Sequence, residues 1–493
     1  MPLNPDVNWA VEDVRRRLPM YRLCQDYYNG DHRLVFATEK YRNAFGDLFR
    51  EFADNLMDDV ADEPADRLQI LNFTALSAGL GQQAQDIWEA NKGDARSGRV
   101  HLDGFRSGDG FLIVWQDSQG AARLYPQKPE QMAVRYDEDL PDMIEVAAKV
   151  WREGKVYRLN LYYPDRLERY ATKGTTNDGG LPKAPAFLPY AEPAETEPGE
   201  IAEDAEPFVE INPWNTVPVF HFPNGEVSGY GESALADSIP LQDALNKTIA
   251  DMLVAMEFHA YPQRWATGVQ VERDAVTGKE VDPFQSGAER LWRTGNEAAQ
   301  FGQFTQADLS QFLLVQDSFR AEIARKAGLP PHSVGAGRQA PPSGISLLVS
   351  EGRIIKRTRD RQRDWGSTWL EAMALALRMS GAGDLIGATD LDIEWAPPET
   401  RDEKALAETI TIKVALGVSK RQGLLEMGYD DDKVEEMLGE SQAESADLAA
   451  AQMAMMGGRI TPAIVTDTKA ALDAGLPPGP QPPAGAGPTP FAG

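Results

Sequence analysis

The run from Gly231 to Arg363 constrains the fold more than any other part of this 493-residue chain. Apolar residues at Leu241, Leu245, Ile249, Met252 and Met256 recur at helical spacing and predict a helix near Leu241–Glu257. A second stripe, Leu309, Phe312, Leu313, Phe319 and Ile323, predicts another near Thr305–Ala327. Between them, Gln263–Thr294 carries strand and turn signals. After them come Gly328-Leu329-Pro330-Pro331-His332, a Gly/Pro-rich stretch to Gly344, and a basic helical segment containing Arg353-Ile354-Ile355-Lys356-Arg357. This is a hairpin of two helices with a small module at its tip and a loop at its base, which is not the layout of an enzyme.

The length suffices for two or three domains, and a hydrophobic content of 42% is ordinary for a folded chain. Cys24 is the only cysteine, so no intrachain disulfide can form, which suits a reducing cytosol. Its place in an N-terminal helical pattern marks it as a plain buried residue. No apolar stretch approaches the ~18 residues of a membrane span, and the polar Met1 end lacks a signal-peptide core. The formal net charge of −27 excludes a conventional basic nucleic-acid binder. Two readings of that charge stay open: simple solubility, or an acidic wall that repels a polyanion and lets it slide.

Along the chain, residues 8–28 and 39–60 have helical character, the first stopping near Gly30. From Arg99 to Tyr170 the texture is that of strands, with Gly110–Trp115 and the alternating Lys155–Tyr162 the clearest. Residues 173–207 break the pattern. Glu192–Glu206 holds seven acidic residues and no basic one, interrupted by Pro193 and Pro198, and reads as a solvated mobile insert. Trp365–Met379 continues the basic helix and stops near Gly381; Leu391–Trp395 is a short strand. Residues 401–439 read as charged helices broken at Gly428, and 441–457 as Ala/Met-rich helix. The Pro/Gly/Ala-rich remainder, 458–493, is expected to be disordered.

Catalytic patterns are mostly missing from the sequence. Gly278-Lys279 lacks the upstream glycine of a phosphate-binding loop, and Gly335-Ala336-Gly337 and Gly229-Tyr230-Gly231 lack its strand-to-helix setting. The five histidines, His32, His101, His221, His259 and His332, show no ligand spacing, so no metal or cofactor is expected. Asp392 and Glu394 share one face of a strand and could serve a metal-dependent nuclease. The plainer reading is a polar strand face, with Leu391, Ile393 and Trp395 turned to the core. The cations Arg353, Lys356, Arg357, Arg359, Arg361 and Arg363 are either a solvated helix face or partners for carboxylates.

The whole run resembles the stem, clip, tunnel loop and long crossing helix of tailed-phage portal proteins, through which double-stranded DNA enters a capsid. The residues that carry the resemblance are Gly231-Glu232-Ser233, Ile239-Pro240-Leu241-Gln242-Asp243-Ala244-Leu245-Asn246, Pro262–Ala266, Arg290-Leu291-Trp292, Phe301–Phe304, Asp308-Leu309, Pro330-Pro331-His332, and Ser343-Gly344 with Glu351 seven on. Tyr27-Tyr28-Asn29-Gly30, Asn55 and Asp66-Arg67-Leu68 add to it.

The resemblance implies an α+β chain with an α+β wing, a two-helix stem, a small α/β clip, a tunnel loop with a long crossing helix, and a helical crown. The boundaries it implies are wing 1–230 (with the insert 173–207), stem helices 231–260 and 305–328, and clip 261–304. The tunnel loop is 329–344, the crossing helix and wing return strand 345–400, the crown 401–457 and the tail 458–493. It implies a tunnel loop carried by Pro330, Pro331, His332, Gly335, Gly337, Arg338, Gln339, Pro341 and Pro342, and motor docking by Arg264, Trp265, Arg290 and Trp292 of the clip. The six cations of the basic helix would make inter-subunit ion pairs. It further implies a ring homo-oligomer, a dodecamer, at a capsid vertex of the virion, assembled in the bacterial cytoplasm. Its partners would be double-stranded DNA without sequence specificity, terminase, major capsid or scaffolding protein, and head-completion or adaptor proteins, with no membrane. Two alternatives remain: a metal-dependent DNA-processing enzyme using Asp392 and Glu394, and an acidic adaptor without a channel.

Overall fold

In the computed structural model the described residues are 4–33, 53–75, 77–173, 180–189, 209–225, 229–260, 264–269, 276–278, 296–303, 309–335, 346, 349–383, 386–399, 403–427, 429 and 433–441. The chain divides into two compact units, Met1–Glu399 and Thr400–Gly493. In the first, α1 (Pro5–Tyr28) and α2 (Met57–Asp66) lead to β1 (Ile70–Ala75), then α3 (Ala78–Ala90) and α4 (Gly93–Ser107). The strands β2 (Asp109–Gln116), β3 (Ala122–Gln127), β4 (Met132–Tyr136), β5 (Ile144–Glu153), β6 (Val156–Tyr162), β7 (Arg166–Thr172), β8 (Phe187–Pro189), β9 (Val209–Ile211) and β10 (Val219–Pro223) follow. Next come α5 (Ile239–Ala260), β11 (Arg264–Thr267), β12 (Gln300–Gln303), α6 (Ser310–Ala327), α7 (Gly352–Met379) and β13 (Leu391–Trp395). The second unit holds α8 (Glu403–Ala415) and α9 (Lys420–Glu426), the latter capped by the Ser419 hydroxyl, which accepts from Gln422 N at 3.2 Å.

Every strand pairing is antiparallel. A six-stranded sheet runs β4-β5-β6-β7-β8 with β9 also on β7; β10-β2-β3 form a second sheet, and β1-β13 and β11-β12 are two-stranded. The fold is thus mixed helix and sheet. Alternation sets the burial. The N-terminal half of α1, through Val7, Val11 and Val14, covers Val146, Ala148, Val150, Leu159 and Leu161 of the larger sheet. The C-terminal half of α1, with Cys24 and Tyr27, joins the main core beside α2, α4 and α7. Cys24 is fully buried there and burial pushes its thiol pKa up, so it packs as an apolar residue.

The sequence expectations need three corrections. Residues 99–107 end a helix, not a strand: Val100, His101 and Phe105 share its buried face, and Gly108, at φ +93°, stops it. Polar His101, Ser97 and Asp103 on that face had obscured the helical period. Residues 53–56 are not helical, and the helix expected to 60 starts at Met57 and runs to Asp66; 34–52 lie outside the described residues. The insert 173–207 is not uniformly solvated, because Phe187 of β8 is fully buried against the larger sheet. Its residues 174–179 and 190–208 lie outside the described residues. The second unit has a further break at 416–419, between α8 and α9; the break expected at Gly428, the tail and 442–457 lie outside the described residues.

The second half of α7 is the spine of the main core. Trp365 and Trp369 are buried, with Phe105 at 5.1 Å from Trp365 and Trp88 and Phe222 at 5.3 and 4.9 Å from Trp369, centroid to centroid. Gly104 makes room for Trp365, since a Cβ there would lie 2.7 Å from its ring. Both indoles find acceptors: Trp365 Nε1 donates to Pro223 O at 2.8 Å, and Trp369 Nε1 to His101 Nε2 at 2.9 Å. His101 therefore carries its proton on Nδ1, which donates to Leu68 O at 3.1 Å. Fully buried without a carboxylate partner, His101 has its pKa pushed down to about 3 by desolvation.

A histidine that must stay neutral when folded stabilises the fold fully above its unfolded pKa near 6.5 and loses that contribution as pH falls. Between pH 6.5 and 3 the loss amounts to about 5 kcal/mol, from a pKa difference of about 3.5. Urea unfolding as a function of pH should show this slope, and His101→Gln, which keeps a donor and an acceptor, should flatten it at the cost of about 1–3 kcal/mol at neutral pH.

Candidate functional site

The helical hairpin stands where the two apolar stripes put it, and α5 packs directly on α6. Burial declines from its base outward. Leu245 and Ile323 are fully buried near the base, while Met256, Leu314 and Val315 farther out are 47%, 69% and 44% exposed. Gln316, buried between the helices, donates to Met252 Sδ at 3.6 Å. Past the end of α5, β11 pairs with β12, Arg264 opposite Gln303 and Trp265 opposite Gly302. The Trp265 ring lies over Gly302, where a Cβ would come within 2.5 Å of it, yet 37% of Trp265 stays exposed. Arg290 and Trp292 lie outside the described residues.

Three anchors fix the base. The first is the strap before α5. Gly231 N donates to Asp109 Oδ1 at 2.8 Å, Asn224 N to Gly108 O at 2.7 Å, and Ala234 N to Phe105 O at 2.9 Å. A Cβ on Gly231 would fall 2.1 Å from Gly108 O and 2.3 Å from Asn224 N, so only glycine fits between these two backbones. Asp109 is itself buried, accepting from Tyr21 OH at 2.5 Å and lying 2.8 Å from His221 Nε2.

The second anchor joins the first turns of α5 to segments 27–33 and 53–56. Gln242 accepts from Leu56 N at 3.2 Å and donates to Asp54 O at 2.6 Å; Asn246 Oδ1 accepts from Asp54 N at 2.9 Å. Tyr27 OH donates to Asp243 Oδ1 at 2.6 Å, and burial pushes the Asp243 carboxyl pKa up. Arg320 of α6 reaches the Asp54 carboxylate at 2.7 Å, tying the second helix to the same segment. His32 sits between Asn246 and Asn55, 2.7 and 3.2 Å from their amides.

The third anchor closes α6. Gly328, at φ +75°, ends the helix, and Leu329 N returns to Ala324 O at 2.9 Å. Arg353 Nη1 donates to Arg325 O at 2.6 Å, and Arg357 Nη1 donates to Ala327 O. Two guanidinium groups thus satisfy the last carbonyls and oppose the negative end of the helix dipole. Burial, with Arg353 and Arg361 nearby, lowers the Arg357 pKa. Arg361 bridges to Gly225 O at 3.3 Å and Asp364 at 3.2 Å, Arg359 pairs with Glu399, Arg363 with Asp360 at 2.7 Å, and Lys356 is exposed.

In the loop, Leu329, Pro330 and Val334 are buried and Pro331 and His332 exposed, while Gly335 sits at φ +63° in open space. At 3% exposure Val334 belongs to the core, so this end of the loop is fixed on the body. Gly337, Arg338, Gln339, Pro341 and Pro342 lie outside the described residues. Asp392 and Glu394 are exposed, opposite Thr74 and Asn72 of β1, with Leu391, Ile393 and Trp395 packed on the core. No group of three or more His, Cys, Asp or Glu suited to a metal ion occurs among the described residues, and no helix among them is long and apolar enough to cross a membrane.

Sequence reasoning missed Asp54, His32 and Arg320, and it treated the basic helix as a surface feature. The signal available was Gln242 and Asn246, polar residues one turn apart beside the apolar stripe of α5.

Residues 9–450 match the family model described as phage portal protein, SPP1 Gp6-like. The portal protein of Mycobacterium phage L5 is 26% identical over 240 residues, which cover 47% of this chain and 49% of the relative. That of Mycobacterium phage D29 is 27% identical over 240 residues, with the same shares. The chain thus spans about half the length of the curated relatives it matches. Among solved structures, a chain from the neck of an empty gene transfer agent (GTA) particle computed with C6 symmetry aligns at TM-score 0.45 and 11% identity, covering 76% of this chain and 88% of that one. A chain from the neck of a native GTA particle computed with C12 symmetry aligns at TM-score 0.41 and 13% identity, with the same coverage.

The strap yields a direct test. Gly231→Ala should destabilise the chain by at least about 3 kcal/mol in chemical denaturation, because rigid backbone flanks it on both sides. Gly98→Ala, with open space around its Cβ position inside α4, should be neutral or stabilising by about 0.5–1 kcal/mol.

Proposed function

The chain belongs to the SPP1 Gp6-like family of phage portal proteins, and from that premise we propose that it assembles into a closed ring that conducts double-stranded DNA. The ring, a dodecamer, sits at one capsid vertex of the virion and is built in the bacterial cytoplasm. Residues 1–230 are the wing, α5 and α6 the stem, and 261–304 the clip. Residues 329–344 are the tunnel loop, α7 and β13 the crossing helix and return strand, and 401–457 the crown. The protein works by passage and gating, and it catalyses no reaction.

The observation that carries this reading is the hairpin anchored at its base. Its base is held on three sides, while Met256, Leu314 and Val315 farther out remain uncovered. Two helices of 22 and 18 residues give a wall about 30 Å tall. Apolar side chains on such a wall are covered when copies pack side by side, and heterologous contacts close into a ring when the rotation per copy matches. Lys356 is exposed, and Arg359 and Arg363, though paired with Glu399 and Asp360 in the same copy, lie on the exposed side of α7, where carboxylates of a neighbouring copy can join them. With a net charge of −27 the channel lining holds no duplex tightly, so DNA slides without sequence preference. Terminase docks on the clip during packaging through Trp265 and Arg264, with Arg290 and Trp292. Head-completion or adaptor proteins replace it afterwards, and major capsid or scaffolding protein surrounds the wing.

The loop supplies the test. Deleting Ala336–Gln339, beyond the buried Val334, should leave the light-scattering mass of the particle at the wild-type multiple of 54.2 kDa and reduce the fraction of DNA-filled capsids at least several-fold. Normal DNA filling with an intact ring would return the segment to a plain connector; a strictly monomeric wild-type chain in all salt conditions would refute the ring.

A further inference from the structure

We propose that His32 is a proton-controlled latch between the end of α1 and the base of α5, closed while the imidazole is neutral and opened by its protonation. The hydrogen-bond geometry leaves one arrangement of donors. Asn246 Oδ1 is committed to Asp54 N at 2.9 Å, so its Nδ2 is the atom facing His32 Nδ1 at 2.7 Å. Asn55 Nδ2 donates to Tyr28 O at 3.1 Å, so its Oδ1 is the atom facing His32 Nε2 at 3.2 Å. The ring therefore donates from Nε2 and accepts at Nδ1, the neutral tautomer. A proton on Nδ1 would set an N–H against the Asn246 amide hydrogens. That amide cannot flip without surrendering the bond to Asp54 N, so protonation breaks one contact or the other.

The charged and titratable groups around the ring act in both directions. Asp31 and Arg33 adjoin it in the chain, Tyr27 lies 5.1 Å away ring to ring, and Asp243 is hydrogen-bonded to that tyrosine. The Asp54–Arg320 ion pair is attached to the segment that Asn246 holds. Desolvation lowers the His32 pKa and outweighs the Asn55 amide, the Tyr27 backbone carbonyl, Asp243 and Asp31, which favour the imidazolium. The open arrangement, with the ring in water, titrates near 6.5. Opening is therefore suppressed above pH 6.5 and becomes more favourable as pH falls below it, by up to about tenfold per unit. Once open, the latch loosens the Asp54 amide held by Asn246 and the Met57 amide held by Asn55 Oδ1 at 3.2 Å, and with them the orientation of α5. The latch lies within one copy and does not depend on ring assembly.

Hydrogen–deuterium exchange on the full chain at pH 7.5, 6.5 and 5.5, corrected for intrinsic rates, tests it at the Asp54–Met57 amides. Wild type should lose protection below pH 6.5, up to about tenfold per unit. His32→Gln, which keeps a donor and an acceptor but cannot titrate, should be flat. Asn246→Asp still accepts from Asp54 N but presents an acceptor to Nδ1, so its response should invert, with more protection at pH 5.5 than at 7.5. Equal wild-type protection at all three values, a wild-type response in His32→Gln, or a loss of protection on acidification in Asn246→Asp would each overturn the latch.

Discussion

A helical hairpin that leaves its body by one end can be aimed only at its base, and here the aim depends on side-chain amides bound to main chain. Gln242 and Asn246 of α5 take the N–H groups of Asp54 and Leu56 and the carbonyl of Asp54. These groups are buried or half-buried, so parting them would leave donors and acceptors unmet at about 1–3 kcal/mol each. Apolar packing alone is non-directional and would tolerate a range of tilts; three directional bonds across one helical turn tolerate few. The second helix follows the first through its packing and through the Arg320–Asp54 pair.

The long helix α7 makes the base continuous with the core. Its second half is locked by Trp365 and Trp369, which hold the polar first half in place. That first half delivers Arg353 and Arg357 to the last carbonyls of α6. The same helix thus bonds to the end of α6 at one end and packs into the aromatic cluster around His101 at the other. In the proposed ring this helix joins the stem to the wing within each copy.

What the sequence disclosed, and what it hid, follows from the range of the interactions. The stripes of α5, α6 and α7 and the strand Leu391–Trp395 were legible because periodic apolar burial is a local pattern. The helix α4 was hidden because Ser97, His101 and Asp103 occupy its core face, with Ser97 bonded to Asp94 O, His101 to distant Leu68 O and Asp103 paired with Arg106. The hairpin base was hidden for a similar reason: Asp54 meets Asn246 across 192 residues, and no spacing rule reaches that far. The block Gln242–Asn246 stood out in the family resemblance, yet a resemblance does not say which groups those side chains satisfy. The basic run looked like surface because a stretch of arginines usually is; two of them end a helix whose C-terminus lies beside it. Val334 was hidden in a Gly/Pro-rich stretch, because its burial depends on core residues distant in sequence.

The central claim is that this chain closes into a ring through the uncovered face of its hairpin. Electron microscopy of the purified full chain, with class averages of end-on views, tests it most directly. The account predicts closed rings of uniform subunit number with a central opening wide enough for a duplex. Single copies, open filaments or solid particles without a central opening would contradict it.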